Sequence, residues 1–590
     1  MFGESVAISG GTVVIGAPGE ASSASGVNGN QGGNSMANSG AAYVFVRNGS
    51  TWSQQAYLKA SHPDVGDEFG KTVGISRDRI VIGAPNEDSS IGINGNGASN
   101  SAPNSGAAFV FERVGGVWSQ QALLKGAVPG LQDHFGSKVA VSGDRVLVSA
   151  RGEDSNATGV DGDYGNNSAL DSGAVFVFEP SGTTWVRTAY IKASNTDAGD
   201  EFGSGLAVDG DRFVVGARFE ESVSAVVNGD QNDNTEFRRG AAYLFGFNGS
   251  FWSQEAYLKG AGYDGSMQFG DSVAISGTTV AVGAPWESGG GTGVNGTPPI
   301  PRSVHAGAAF IFSFNGASWF QDAYLKASNT HELDFFGWSV AADGNQVLVG
   351  SWLESSPSAG ANGYQSNQSL IGSGAGYLFE KSGGGWEQRA FLKAINPDYS
   401  DHFGSAVGLS QGYAVVGAYA EASASIGVNG DASDDSAVGA GAAYVIHVDS
   451  QSGSYCGPAV PNASGFSASL YASGSFVVAE NRFTLNATNL PLNQTGYFLN
   501  SRGITYVRMP GGSMGTLCLG GGQAIGRHNR SWEVRNSGPS GTVSLTLDLN
   551  DLPVLQVALP GETWNFQCWF RDPSGPGASN FTDGLSVRFE

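Results

Sequence analysis

The chain is poor in cysteine, in charged residues and, among those, in basic ones. Three cysteines in 590 residues exclude a disulfide-built scaffold, because such frameworks are dense in cysteine. Charged residues make up only 14%, and 30 lysines and arginines face 53 aspartates and glutamates, for a formal charge of −23. A surface of that sign repels nucleic acid and anionic membrane and favours cations or basic partners. No run of about 18 apolar residues occurs, so no helical membrane span is expected. A signal peptide is also missing. Met1 stands directly against the first Phe-Gly pair, which reads as a truncated start rather than a cytosolic one.

What is abundant is glycine, with 91 residues against a usual share of about 7%. Without a triplet period it implies many turns rather than collagen. The glycines sit in a repeated phrase. Phe-Gly recurs at Phe2, Phe69, Phe135, Phe202, Phe269, Phe336 and Phe403, in steps of 67, 66, 67, 67, 67 and 67 residues. A second half keeps the same phase, as "VIGAP" at Val14, "VIGAPNE" at Val81, "LVSARGE" at Leu147 and "VVGAYAE" at Val415. A period this regular is architecture.

Within each unit the apolar residues alternate with period two, in runs too short for helices. Unit one reads as four strands, "FGESVAIS", "TVVIGAP", "GAAYVFVR" and "WSQQAYLKA". Four strands cannot bury two apolar faces alone, so the units must stack, and radial stacking of four-stranded meanders makes a propeller. Seven copies predict seven blades, starting near residues 2, 69, 135, 202, 269, 336 and 403. The fourth run carries Trp52, Trp118, Trp185, Trp252, Trp319 and Trp386, and the seventh unit lacks it. A three-stranded seventh blade with an unpaired edge is predicted, unless the C-terminal region covers it, since bare edges invite pairing.

These phrases resemble the FG-GAP repeat of the integrin α-subunit propeller and its bacterial relatives, over residues 1 to about 450. The resemblance implies a secreted or surface-exposed protein engaged in adhesion or ligand recognition. It carries a calcium loop of the form Asp-x-Asp-x-Asp-Gly between the first two strands. Here that connection has shrunk to "SGG", "SRD", "SGD", "DGD", "SGT", "DGN" and "SQG", too few oxygens for the six to eight ligands that calcium takes. Those cation sites are therefore not carried over.

In an up-and-down meander, the connections from strand two to three and from strand four to the next unit emerge on one face, and here both are long and polar. One glutamate per unit closes strand two there: Glu20, Glu87, Glu153, Glu220, Glu287, Glu354 and Glu421. An Asp-x-Phe-Gly signature adds Asp67, Asp133, Asp200, Asp334 and Asp401, with Met267 in its place in unit five. Read functionally, these twelve carboxylates form a ligand-binding ring. Read structurally, each accepts hydrogen bonds from loop N–H groups and pins its own loop, and repetition in every blade favours that job. For calcium the best local candidate is "DGDYGNNSALD", with Asp161, Asp163, Asn166 and Asp171, oxygen-rich but without EF-hand spacing.

His62, His134, His331 and His402 fall in inter-blade loops without a metal or nucleophile motif, and are expected to be solvated. The repeated Trp and Tyr57, Tyr190, Tyr257 and Tyr324 are expected to pack between blades. The lysines that follow, Lys59, Lys125, Lys192, Lys259, Lys326 and Lys393, are expected as solvated or snorkelling cations near the outer rim.

From residue 452 a different module begins, with alternating runs such as "FTLNATNL", "SLTLDLN" and "TWNFQCWF" that indicate a β-sandwich. Its "YCGP", "GTLCLGG" and "SNFTDGLSV" are similar to a C-terminal module of secreted bacterial repeat proteins. All three cysteines lie here. One disulfide is expected, between Cys456 and Cys518, since Cys568 sits in an apolar strand where a lone thiol packs well; pairing of Cys518 with Cys568 stays open.

The expectation is an all-β protein, a seven-bladed propeller over residues 1–451 and a β-sandwich over 452–590. It is read as a monomeric, non-catalytic, extracellular adhesion or recognition protein of a bacterial surface, binding a glycan or protein through its acidic loop-rich face. Two rivals stand beside it, a polysaccharide hydrolase or lyase using paired carboxylates and a purely structural surface component. An enzyme should break the seven-fold pattern at one place with a cleft. Unit four, at Glu236–Gly240, and unit five, from Thr297, depart most.

Overall fold

The computed structural model describes every residue except 50, 91, 96, 262–265, 297–302, 363, 364, 366, 433, 449–451, 456–458, 460, 461, 464–466, 509, 521–523, 555, 574–578 and 590. The chain divides into two compact units, residues 1–357 with 368–447, and residues 358–367 with 448–590. Among the described residues no helix is long and apolar enough to cross a membrane.

The first unit holds the repeats. Repeat one is an antiparallel meander of Ser5–Ser9, Thr12–Ala17, Ala41–Asn48 and Thr51–Leu58, paired in chain order. Repeats two to six build the same four-stranded sheet, and repeat seven has three strands among the described residues, Phe403–Ser410, Tyr413–Ala418 and Ala442–His447. The second strand is buried along its whole length in repeats one and five, because a neighbouring blade covers each of its sides. Register is uniform. The Leu or Ile near the end of each outer strand faces the second residue of the third strand, as in Ala42↔Leu58, Val175↔Ile191 and Gly376↔Leu392.

Packing between blades supplies the core. Val14 and Val44 of repeat one share a cluster with Ile80, Phe109 and Trp118 of repeat two, and Val13 and Phe45 share one with Val415 of repeat seven. The strand Ser5–Ser9 neighbours Phe403–Ser410 as it neighbours Thr72–Ser76, and the Phe2 amide donates to the Ala440 carbonyl at 2.8 Å. The ring is closed. Its tryptophans lie between blades as expected, 3 to 7% exposed at Trp118, Trp185, Trp252, Trp319 and Trp386.

The geometry explains the repeated phrase. The phenylalanine of each Phe-Gly meets an aromatic ring of its own third strand edge-on, at 5.2 Å for Phe69 on Phe109 and 5.4 Å for Phe202 on Tyr243. The glycine turns the chain with φ near +91° at Gly70, where a Cβ would stand 2.2 Å from the Ala41 carbonyl oxygen. Only glycine satisfies both demands. The glycine of the second strand meets the next blade: a Cβ on Gly83 would lie 2.1 Å from the Gly136 oxygen.

In the second unit, one sheet contains Ser452–Tyr455, Gly584–Arg588, Thr563–Arg571 and Thr495–Ser501 in that order, and another contains Ser469–Gly474, Phe483–Thr488 and Val543–Leu547. Phe483, Leu485 and Leu545 of the second sheet share one core with Trp564, Phe566 and Val587 of the first. Cys568 is a free, fully buried thiol, which removes the alternative pairing with Cys518. Cys456 lies outside the described residues.

Candidate functional site

The end of strand two, the start of strand three and the end of the outer strand meet on one face of each blade. That convergence joins two series that the sequence separates by 38 or 39 residues. Lys59 Nζ lies 2.9 Å from Glu20 Oε2, and the same bond recurs for Lys125 with Glu87 (2.7 Å), Lys192 with Glu153 (2.9 Å), Lys259 with Glu220 (2.8 Å), Lys326 with Glu287 (2.9 Å) and Lys393 with Glu354 (2.8 Å). All six lysine side chains are wholly enclosed. The expectation of solvated lysines at the outer rim is thus corrected. The lysine is the first residue after the outer strand, on the loop face, where a carboxylate and further acceptors replace its water.

Those acceptors are serine hydroxyls at 2.7 to 2.9 Å from Lys59, Lys125, Lys192 and Lys393, namely Ser39, Ser105, Ser172 and Ser373, and the Gly307 carbonyl from Lys326. Five of these clusters also capture their loop. The amide two residues after the glutamate donates back to it, at 2.9 Å for Ser22 on Glu20 and 3.2 Å for Ser155 on Glu153, and likewise on Glu87, Glu220 and Glu354. The hydroxyls of Tyr57 and Tyr190 lie 2.6 Å from Ser22 and Ser155. Burial of the ammonium lowers the lysine pKa against the opposing pull of its glutamate, to about 8 at Lys259.

The aspartates form a second repeated element. Asp67 accepts from the Asp64 amide at 2.7 Å, Asp133 from Gly130 at 2.7 Å, Asp200 from Asp197 at 3.2 Å, Asp334 from His331 at 3.0 Å and Asp401 from Asp398 at 2.7 Å. Each closes the turn three residues upstream. Burial, aided by the glutamate of the same repeat, raises Asp67 and Asp133 to about 7, Asp200 to about 8 and Asp401 to about 6, and lifts Asp334 well above the carboxylate range. The twelve carboxylates are therefore engaged blade by blade.

The calcium candidate does not assemble. Asp161 accepts from the Tyr190 amide at 2.9 Å, Asp163 from Gly165 at 2.8 Å and Asn166 from Asn156 at 3.1 Å, while the Asp171 amide donates to Asp154 at 2.8 Å. Among the described residues no group of three or more His, Cys, Asp and Glu side chains is arranged to hold a metal. Two histidines depart from the solvated reading. His134 Nδ1 lies 3.3 Å from the Pro85 carbonyl and His402 Nδ1 3.4 Å from that of Trp352, and burial lowers the pKa of both. His62 and His331 are exposed.

Seven-fold equivalence fails around the axis of this face, at residues flanking the repeated phrases. Over blades five to seven the rings form a continuous arc. Centroids are separated by 4.4 Å from Trp286 to His305, 5.6 Å from Trp286 to Phe335, 6.1 Å from Phe335 to Trp352, 5.0 Å from Trp338 to Trp352, 4.8 Å from Trp352 to His402 and 5.1 Å from His402 to Tyr419. Trp286, Trp338, Trp352, His402 and Tyr419 are half-buried, and the Trp352 indole N–H is buried without a hydrogen-bond partner.

Elsewhere around the axis, from Glu4 of blade one to Asp271 of blade five, charged residues stand near these positions. Lys71 lies 2.6 Å from Glu4, and Arg218 bridges Glu201 at 2.8 Å and Asp271 at 3.1 Å. Lys138 lies among Lys71, Arg151, Arg218 and Asp271; burial lowers its pKa, Asp271 opposes, and the three cations add to the lowering. Glu4 and Lys71 also act on the Tyr419 hydroxyl, so the charged sector adjoins the aromatic one. Sequence reasoning missed this mouth, although Trp, Lys and Arg at variable slots of a repeated phrase were its visible trace. Of the departures noted in the sequence, Glu236–Gly240 contributes Arg238 stacked 4.3 Å over Phe219, and residues 297–302 lie outside the description.

The family model of the FG-GAP repeat matches residues 1–45, 52–111, 118–178, 185–245, 252–298, 319–379 and 386–446. A search among curated proteins returned no match.

Proposed function

The chain belongs to the FG-GAP repeat family, and we propose that it is a non-catalytic, extracellular recognition protein that takes an acidic glycan at the axial mouth of its loop-rich face. The observation that carries this reading is the broken symmetry of that mouth. The glutamate–lysine pairs recur in six blades and the aspartates in five, as a structural element should. At the mouth an aromatic arc from Trp286 to Tyr419 stands beside Lys138, Arg151 and Arg218 without such recurrence among the described residues.

Aromatic faces stack on the apolar faces of sugar rings and contribute large contact areas at little entropic cost. A carboxylate on the sugar finds charge-assisted donors in Lys138 and Arg151, and the Trp352 N–H supplies a buried donor that lacks an acceptor. The non-catalytic reading is supported by the aspartates of raised pKa, since they recur in five blades and single out no centre. A secreted, surface-attached setting accords with the family, and the disulfide expected between Cys456 and Cys518 belongs to the same reading.

The test is an array of neutral and uronate-bearing oligosaccharides, followed by titration of the best hit. Binding restricted to acidic chains, weakened at least about tenfold by Trp352→Ala and by Lys138→Met, is expected. Equal binding of neutral chains would remove the role of the cations. No saccharide binding at all would leave the purely structural reading.

A further inference from the structure

Blade four holds a buried cation that no acid answers. Arg239, just ahead of the strand Ala241–Phe247, is 8% exposed, and its Nε is enclosed without a hydrogen-bond partner. Its terminal nitrogens reach solvent and make no hydrogen bond or ion pair with any described residue. The other arginines held this far inside the propeller are paired: Arg79 with Glu112, Arg113 with Asp78, Arg145 with Glu179 and Arg218 with Glu201.

Two departures from the repeat meet here. In blades one, two, three and six the position of Arg239 holds Ser39, Ser105, Ser172 or Ser373, whose hydroxyl accepts from the socket lysine. The acid that follows the outer strand is Asp67, Asp133, Asp200, Asp334 or Asp401 elsewhere, and after blade four it is Met267, fully buried in one cluster with Leu258 and Phe269. Those aspartates each act on the lysine of the socket before them, raising its pKa at Lys59, Lys125, Lys192, Lys326 and Lys393. On Lys259 the cation of Arg239 acts instead, in the opposite direction. Glu220 has nothing left to offer the guanidinium. Its Oε1 accepts from Asn195 and Tyr257, and its Oε2 from Ser222 and Lys259.

We propose that Arg239 anchors a binding site in blade four for one small oxyanion, a carboxylate, sulfate or phosphate group. Blade four has exchanged a hydroxyl for a guanidinium and a carboxylate for a thioether, so it carries a surplus of buried positive charge inside an acidic molecule. A buried charge without a counter-ion is unfavourable, and an anion from solution relieves it. The planar guanidinium suits such groups, which it can hold through two parallel N–H donors. This site does not rest on the sugar reading. Arg238 stacks at 4.3 Å over Phe219 beside Arg218 of the mouth, whereas Arg239 acts on Lys259 inside the blade.

The test is calorimetric melting of the full chain at pH 7, with sodium acetate, sulfate or phosphate exchanged for chloride at constant ionic strength. At least one of the three should give a saturable rise, about 3 °C at a hundredfold excess over Kd. Acetate as the effective salt identifies a carboxylate ligand, and sulfate or phosphate a tetrahedral ester. Arg239→Ser, which restores the hydroxyl of the other blades, should weaken that response at least about tenfold. Arg239→Gln keeps the length of the side chain and should do the same if serine leaves too large a hole. Absence of a rise with all three salts would overturn the proposal. So would a rise undiminished in both variants, since the salt would then act on the whole surface or at the axial mouth.

Discussion

Lys192→Met tests how the loop-rich face is held. The ammonium of Lys192 donates to Glu153 at 2.9 Å and Ser172 at 2.7 Å, and Ser172 in turn donates to the carbonyls of Glu153 and Ser155. Methionine keeps most of the side-chain volume and removes the charge, leaving Glu153 buried without its cation. Removing one partner of a buried pair costs about 3–5 kcal/mol. Unfolding entropy near 2.1 cal/mol/K per residue gives a unit of about 440 residues roughly 0.9 kcal/mol/K at its midpoint, so the expected fall in melting temperature is about 3–5 °C. Calorimetry reads that shift, and the cycle with Glu153→Gln separates pairing from packing. The double variant should recover much of the loss, because the uncompensated carboxylate is gone. A single variant within about 0.5 kcal/mol of the parent, as for an ordinary surface change, would refute the idea that these pairs pin the loops.

The aspartates make stability depend on pH in an unusual direction. Their folded pKa values lie above the ordinary 3.8, at about 7 for Asp67 and Asp133 and about 8 for Asp200, so the native state binds more protons than the unfolded one from about pH 4 to pH 8. Stability then falls as pH rises through that window, and the melting temperature should be higher at pH 5 than at pH 8; the reverse order would show these carboxyls to be ionised in the fold. Gly283→Ala places a Cβ 2.0 Å from the Gly337 carbonyl oxygen of the next blade and should cost about 3 kcal/mol by urea midpoint, whereas Gly33→Ala, with open space around it, should stay within about 0.5 kcal/mol.

The fold was legible because repetition reads the same at every level. Phe69 recurs in phase as Phe135 and Phe202, the strand alternation recurs with it, and the halt of the tryptophan series after Trp386 announced a blade of three strands. The buried lysines were not read, for a physical reason. Alternation tells on which side of a strand a residue lies, but not that the residue just after the outer strand, Lys192, reaches Glu153 from 39 residues away. A signal was present, one acid and one base per repeat at constant separation on strands that end at the same face. The axial mouth was illegible for the opposite reason, since Trp352, Lys138 and Arg218 occupy slots filled by other residue types in most repeats, such as Pro18, Pro85 and Pro285 or Ser5, Ser272 and Ser339, and only closure of the ring brings them together.

Blade three shows how that mouth obtains Lys138. In blades one, two, five and six the hydroxyl of Ser5, Thr72, Ser272 or Ser339 donates to the glycine carbonyl of the next Phe-Gly, at 2.8 to 2.9 Å. That carbonyl comes close only because strand two has a glycine beside it: a Cβ on Gly16, Gly83, Gly283 or Gly350 would sit 2.0 to 2.1 Å from the oxygen. Blade three has Ser149 in place of this glycine, and its Cβ already lies where Gly203 passes, 2.7 Å from a Cβ built there. The carbonyl can no longer take its usual seat, so a hydroxyl at position 138 would have no acceptor. Lys138 stands there instead, its amide held by the Ser149 hydroxyl at 2.9 Å and its ammonium carried toward Arg151 and Arg218. The two departures go together: without the inter-blade hydrogen bond of the other blades, the slot carries a lysine. Functional sites are where departures from local consistency are expected, and here both departures lie in the blade that completes the charged side of the mouth.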